Sequence, residues 1–502
     1  MKFNKKNTQI KNHEGEKDFN LTKELKLYTA VVTASLSPKF YESENELLTR
    51  IKILVSECEP LFVAKLAIYT REKIYLRSVP LVLLVELAKV HHGDSLVQKT
   101  TARVVKRADE IMELLAYYQL SNRRDEVKKL NKLSKQIQKG LALAFNAFDE
   151  YQFGKYNRQG EVLLKDALFL VHPKAKDEQQ QKLFDKIVKG ELETPYTWEV
   201  ELSELGKASF ESKEAKLLAK KEKWEELIDS GRLGYMALMR NLRNMLEAKI
   251  DKEHLKVVAE RLTNPIEIAK AKQFPFRYLS AYRELIDIQS SYTTYLLNAL
   301  EKAVLVSANN IKGFDLDSKV VLASDVSYSM YSRISPKSTI FYYDIGLMLS
   351  MLLQQRSENV ITGIFGDSWK QVNLPKESVL ANTLKLQSME GEVGYSTNGY
   401  TVIESLIEKD EVVDKLFFFT DLQMWDSLHG GDSLLKSWEA YKAIAPHAKL
   451  YLFDLTGYGT TPISIKENDV FLLAGWSDKV FDILEMIEQG KDAIDTILEI
   501  EL

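Results

Sequence analysis

Asp325, Ser327 and Ser329 occupy alternate positions of the string Asp325-Val326-Ser327-Tyr328-Ser329-Met330, which follows the apolar run Val320 to Ala323. One carboxylate and two hydroxyls converging from a tight turn are hard oxygen ligands. They suit an octahedral Mg²⁺ foremost, with Ca²⁺ or Mn²⁺ as alternatives. By itself the string is also what an ordinary turn or helix cap would use. Two further loops sharpen the reading. Thr397, in Gly394-Tyr395-Ser396-Thr397-Asn398-Gly399, precedes a helical pattern, and Asp421 closes the buried-strand string Phe417-Phe418-Phe419-Thr420. The candidate metal set is therefore Asp325, Ser327, Ser329, Thr397 and Asp421, with a divalent cation as the expected cofactor.

The same loops offer little for covalent chemistry. Neither Ser327 nor Ser329 sits in a Gly-x-Ser-x-Gly elbow, and His429 beside Gly430-Gly431 reads as a surface-loop residue. No phosphate-binding Gly-rich string is present, so nucleotide binding is unsupported. Asp367, after Phe365-Gly366, reads as a turn residue that shapes the rim. No catalytic residue is assigned, and the chain is not expected to be an enzyme.

The elements that must carry these residues alternate. Short β-rich runs at 320–323, 360–365, 416–420, 450–455 and 470–473 are separated by helical patterns near 340–355, 401–407, 433–444 and 479–489. Such alternation predicts a parallel sheet flanked by helices, with ligands at the carboxyl ends of the strands. From about Leu25 to Val306 apolar residues instead recur every three or four positions, with breaks at prolines such as Pro60, Pro80, Pro195 and Pro275. Paired helices stacked as a solenoid fit this pattern, although no strict sequence period is visible. The polar segment Asn309 to Asp315 marks the expected boundary. Residues 1–24 are expected to form a flexible arm, 25–308 a helical domain and 315–502 the α/β domain.

Charge divides at the same place. Residues 1–314 contain 53 Lys and Arg against 43 Asp and Glu, whereas the remainder contains 15 against 29. A basic first half suggests a polyanionic partner, although solvated Lys-rich helices give the same composition. Cys58 is the single cysteine, so no intramolecular disulfide forms and a cytoplasmic setting is expected. The polar start and the interruption of the apolar run 79–90 by Pro80 and Glu86 argue against export or a membrane span.

The order Asp, Ser, Ser, Thr, Asp on successive strand ends resembles the metal-ion-dependent adhesion site (MIDAS) of von Willebrand A domains. Around it, Asp325 to Met330, Phe419-Thr420-Asp421 and the stretch from Ala448 through Gly457-Tyr458-Gly459 to Trp476 resemble the Ro autoantigen family. That family joins a TROVE domain to a von Willebrand A domain. Over residues 25–305 the resemblance rests on Lys155-Tyr156-Asn157-Arg158, Lys165-Asp166, Leu233 through Asn241-Leu242, and Phe274-Pro275-Phe276-Arg277. It implies a ring of HEAT-like helical repeats closed by the A domain. It also implies a basic outer face for small noncoding Y RNAs and a central hole for single-stranded ends of misfolded RNA. Lys155, Arg158 and His172 fall where the family places basic RNA contacts, although one such position lands on Gln159 without a gap. Tyr151, Phe153 and Tyr156 add aromatic faces for stacking. Arg123, Arg124, Lys128, Lys129, Lys132, Lys135 and Lys139 form a denser basic run with helical spacing, which a solvated helix face would also explain.

The leading expectation is a non-catalytic RNA-binding scaffold of Ro type, with Y-like RNA and single-stranded RNA ends as partners. The A domain would bind its cation for structure or to dock a protein such as an exoribonuclease. The alternative is a protein-interaction adaptor that uses the metal site without binding RNA.

Overall fold

The computed structural model describes residues 9–11, 17–34, 46–122, 133–157, 160–308, 317–335, 338–424, 433–465 and 467–502. They divide into two compact units. One comprises Thr22–Tyr196 with Asp492–Leu502, the other Met1–Leu21 with Thr197–Lys491. The expected division at 309–315 lies outside the described residues and does not coincide with this partition. The helices after Thr197 join the α/β part, and the last eleven residues join the helical unit.

In the helical unit, Pro60–Glu72 packs on Ser78–Val90 and Leu96–Val104, Ser78–Val90 on Ala108–Ser121, and Leu96–Val104 on Lys135–Phe145. Each helix thus meets the next but one, which builds a layered stack. Pro60 and Pro80 sit in first turns, where a missing N–H costs nothing, so Pro80 lies within a helix rather than at a break. Ser78–Val90 is buried almost all round, with Leu81 to Val85 fully enclosed. Its one acid, Glu86, accepts from Tyr117 Oη at 2.6 Å and pairs with Lys89 at 2.8 Å. Gly140 permits the closest approach: a Cβ there would lie 2.5 Å from Thr101 Cβ. The C-terminal helix Ala493–Leu498 rests on Pro60–Glu72, with Lys65 Nζ donating to the Leu498 carbonyl at 2.5 Å.

The second unit carries a six-stranded sheet built from β3 (Lys319–Asp325), β4 (Asn359–Phe365), β5 (Trp369–Gln371), β6 (Lys415–Thr420), β7 (Lys449–Asp454) and β9 (Val470–Ala474). Their order is β5-β4-β3-β6-β7-β9, parallel except for the edge strand β5. The Val, Leu and Phe runs of the inner strands are buried on both faces, as a parallel sheet between helices demands. The fold is therefore a helical array followed by an α/β layer with a parallel sheet, as expected. β3 is central and the chain passes first to β4 and later to β6 on its other side. This reversal is the topological switch point where α/β sheets hold ligands.

Two described stretches of the expected N-terminal arm, β1 (Gln9–Lys11) and β2 (Lys17–Asn20), form an antiparallel pair. β2 in turn pairs with β8 (Thr460–Thr461). Burial pushes the Asp18 carboxyl in β2 up to about 7, against the opposing hydrogen bond to Thr460.

Two contacts weld the helices after Thr197 to the sheet layer. Arg283, in helix Pro275–Ile286, grips the buried Asp344 with both guanidinium ends at 2.6 and 2.9 Å and also donates to Thr339 O and Gln387 Oε1. Glu301, in helix Thr293–Ala308, accepts the backbone N–H groups of Val379, Leu380 and Ala381 at 2.8 to 3.0 Å. It thereby caps helix Val379–Gln387 from outside. Replacing Arg283 by Met should leave Asp344 buried and unpaired, costing about 3–5 kcal/mol of unfolding free energy in denaturant titration. A loss below about 1 kcal/mol would show that the pair does not hold these elements together.

Candidate metal centre and nucleic-acid interface

Asp325 ends β3, and parallel register sets Asp325 beside Phe365, and Thr420 beside Asp454, along one sheet edge. Its carboxylate is 1% exposed. Oδ2 accepts from Thr420 Oγ1 at 2.6 Å and Oδ1 from the Ser327 N–H at 2.9 Å. Ser327 Oγ lies 3.2 Å from Ser329 Oγ. The third loop joins through its backbone, since the Tyr328 N–H donates to Tyr395 O at 3.0 Å. Asp421 follows Thr420 directly, is buried, and accepts the Gln423 N–H at 2.9 Å. The structure thus brings the three loops bearing Asp325, Ser327, Ser329, Thr397 and Asp421 together at the switch point.

Several residues outside that set hold the loops. Asp367 Oδ1 accepts the Ser396 N–H at 2.7 Å, and Asn398 Nδ2 donates to Asp367 O at 3.1 Å, which ties the Thr397 loop to the end of β4. The hydrogen bonds from Ser396 hold the Asp367 carboxyl below its usual range. Gly366 and Gly394 allow this approach, because a Cβ on Gly366 would meet Gly394 O at 2.2 Å and Gly394 adopts φ +78°. Behind Asp421, Asp454 Oδ1 accepts the N–H groups of Thr456 and Gly457 at 3.0 and 2.7 Å, and Thr456 Oγ1 donates to Asp421 O at 3.3 Å. Asp454 ends a strand as Asp325 does, and that repeated position was the signal for it.

The electrostatics suit a cation. Burial first, and then the charge of Asp421, raise the Asp325 carboxyl well above the carboxylate range. Asp325 makes no ion pair among the described residues; its partners are hydroxyl and N–H donors. Two buried carboxylates ringed by hydroxyls fit a hard divalent ion, which would neutralise both. A separate cluster, Glu225, Asp251 and His254, brings possible ligand atoms within 4.8 Å. There both imidazole nitrogens already face carboxylates, Asp251 at 2.7 Å and Asp229 at 3.2 Å, so His254 is a charged clamp.

The expected RNA residues fall into two patches of the helical unit. The short helix Glu150–Tyr156 begins with a capping box at Asp149 and Gln152 and is anchored by Phe153, which packs on Phe145 and Phe148. Lys155 Nζ lies 5.8 Å from the rings of both Tyr151 and Tyr156, and Arg107 Cζ lies 4.5 Å over Tyr156. Arg107 had no sequence signal, because its place beside Tyr156 comes from packing. Lys135 and His172 form the other patch. Gln138 joins them, accepting from Lys135 Nζ at 3.1 Å and donating to the carbonyls of Leu170 and Val171. His172 itself is the exposed left-handed cap of helix Leu164–Val171. Arg107 precedes helix Ala108–Ser121, while Ser134 donates to Tyr118 near its far end. Fourteen residues separate the patches by about 20 Å. Arg123, Arg124, Lys128, Lys129, Lys132 and Arg158 lie outside the described residues, as does His429.

Comparison with known proteins gives three kinds of likeness. The TROVE domain profile matches residues 6–197 and 188–312. Telomerase protein component 1 of Mus musculus is 24% identical over 53% of this chain and 13% of its own length. The Rattus norvegicus protein of the same name is 39% identical over 19% of this chain and 3% of its own length. The chain thus spans only a small part of these relatives. Among solved structures, the crystal structure of the Deinococcus radiodurans Ro (Rsr) protein superposes with a TM-score of 0.60. The match covers 93% of this chain and 100% of that one at 16% identity, so it is a likeness of fold.

The raised Asp325 carboxyl has a definite sign. A group whose folded-state pKa exceeds its unfolded value near 3.9 loses stability as pH rises through that window. Metal-free protein should therefore lose stability as pH rises from about 4 through the Asp325 transition, and Asp325→Asn should flatten that dependence. Mg²⁺ or Mn²⁺ should raise the melting temperature of the wild type and leave that of Asp325→Asn unmoved. An equal metal-induced shift in both proteins would place the ion elsewhere.

Proposed function

Because the chain belongs to the TROVE domain family, we propose that it is a non-catalytic, RNA-binding component of a Ro-type ribonucleoprotein. Its ligands are a small noncoding Y-like RNA and the single-stranded ends of structured or misfolded RNA, which assigns it to RNA quality control or processing in the cytoplasm. The observation that carries this reading is the alternation of cation and ring at Arg107, Tyr156, Lys155 and Tyr151. It lies inside the stretch that matches the TROVE domain. Such a surface supplies phosphate attraction and base stacking together, with little demand on sequence. The excess of basic residues in 1–314 supports the same reading. Lys135 and His172 would meet phosphates farther along the same strand.

The α/β layer has a different task in this proposal. Asp325, Ser327, Ser329, Thr397 and Asp421 would hold Mg²⁺, or else Ca²⁺ or Mn²⁺. A carboxylate from a partner protein, an exoribonuclease among the candidates, would complete the coordination. Tyr328 and Tyr395, 77% and 56% exposed on the site's own loops, favour such docking, since exposed tyrosines anchor protein interfaces. The same tyrosines support the second reading, an adaptor that binds no RNA.

A gel-shift titration with a small structured RNA across a salt series separates the two. Steep weakening with salt is expected, with Lys155→Ala/Tyr156→Leu losing roughly tenfold in affinity. Asp325→Ala should leave RNA affinity nearly intact. Negligible RNA binding at low salt would instead favour the adaptor.

A further inference from the structure

Helices Tyr235–Arg240 and Pro275–Ile286 pack together, and two arginines meet there without an acid. Arg240 ends the first helix and is exposed, while Arg277 lies half-buried in the first turn of the second. Among the described residues neither side chain makes an ion pair or a hydrogen bond. Two neighbours in the same unit behave differently: Arg261 holds Glu267 at 3.0 Å and Arg283 holds Asp344 at 2.6 Å. Burial, then the charge of Arg240, push the Arg277 guanidinium down from its usual range.

The position is adverse in a second way. A helix N-terminus carries partial positive charge, which disfavours a cation in the first turn and favours an anion. Helix Pro275–Ile286 has no acid in its first turn, and its N-cap residue, Phe274, supplies no side-chain hydrogen bond. Arg277 Cζ lies 5.2 Å from the Phe276 ring, which stacks on Phe274 at 5.6 Å. The ring orients the guanidinium plane and leaves its donors unused. Two positive side chains and a positive helix end, gathered without a carboxylate, repel one another until an anion arrives. The planar fork of arginine matches the oxygens of phosphate.

We propose that Arg240 and Arg277 form a phosphate-binding site for the backbone of single-stranded RNA at the start of helix Pro275–Ile286. The identity of the ligand rests on the RNA-binding reading above, and the site itself on the arginine pair. Neighbouring aromatic rings are the usual companions of such contacts, because unpaired bases stack.

The test uses the full chain carrying Arg240→Gln and Arg277→Met, the latter keeping an apolar stem against Phe276. Binding is followed by fluorescence anisotropy with a fluorescein-labelled uridine oligonucleotide of about ten residues across a salt series. The double variant should lose roughly tenfold in affinity, and its salt slope should fall by about 1.4, for two contacts at ~0.7 each on a single strand. Without RNA it should melt at or above the wild-type temperature, since a repulsive pair has been removed. Millimolar pyrophosphate should raise the melting temperature of the wild type and not that of the variant. Unchanged affinity and slope in the variant, with a wild type that binds RNA, would overturn the site and leave the RNA reading standing. A wild type that binds no RNA, yet gains stability from pyrophosphate through these arginines, would overturn RNA as the ligand and keep the anion site. A variant melting far below the wild type would make the pair a packing element; Arg240→Gln alone, at an exposed position, then reports on binding without that loss.

Discussion

Asp344 has no exposed surface, and the two-pronged contact with Arg283 is what makes a buried carboxylate tolerable there. Much else follows from that contact. Asp344 lies in the first turn of helix Tyr342–Gln354 and also accepts the Phe341 N–H at 2.9 Å, so it sets where the helix begins. The helix packs on β3 and β6, the strands that deliver Asp325 and Asp421. A guanidinium from the TROVE-matched region therefore fixes the helix that backs the metal-site loops. Removing it would loosen a cation site that it never touches.

This coupling explains why the domain boundary was hard to place. The polar segment 309–315 marks a true change of pattern, from helical periodicity to alternating strands and helices. Compactness follows contacts instead. Arg283 reaches Asp344 and Glu301 reaches Val379 from far away in the chain, and no local pattern announces such pairs. The N-terminal strands were missed for a related reason. Lys17-Asp18-Phe19-Asn20 has poor strand propensity, and its extended form depends on a partner some 440 residues later.

By contrast, the strands of the sheet were legible nearly to the residue, because buried parallel strands read as continuous apolar runs between turns. The expected metal residues were legible too. Each sits where a strand or loop ends at the switch point, a position set by topology. What sequence could not show was the supporting shell. Thr420, Asp367 and Asp454 act through hydrogen bonds to loops that meet only in three dimensions. The basic candidates were the least legible, since lysine on a solvated face and lysine on a nucleic-acid surface look alike in one dimension. Only packing reveals that Arg107 covers Tyr156 while Lys135 lies a helix length away.

Asp325 and Arg277 are opposite in sign and alike in predicament. Each is withdrawn from water, each faces a like charge, and each lacks an ionic partner among the described residues. A sequence under pressure for stability alone would have a neutral residue at both positions, or a counter-ion beside them. Where the rest of a fold is consistent, such local violations mark places at which a ligand supplies the missing charge. A cation answers the first and a phosphate the second. An ion bound at Asp325 and Asp421 would also lower the negative field of the acidic α/β layer, which otherwise repels a polyanion. Metal occupancy and RNA affinity would then be linked through electrostatics alone. That link weakens as salt screens it, with a range of about 10 Å at 0.1 M.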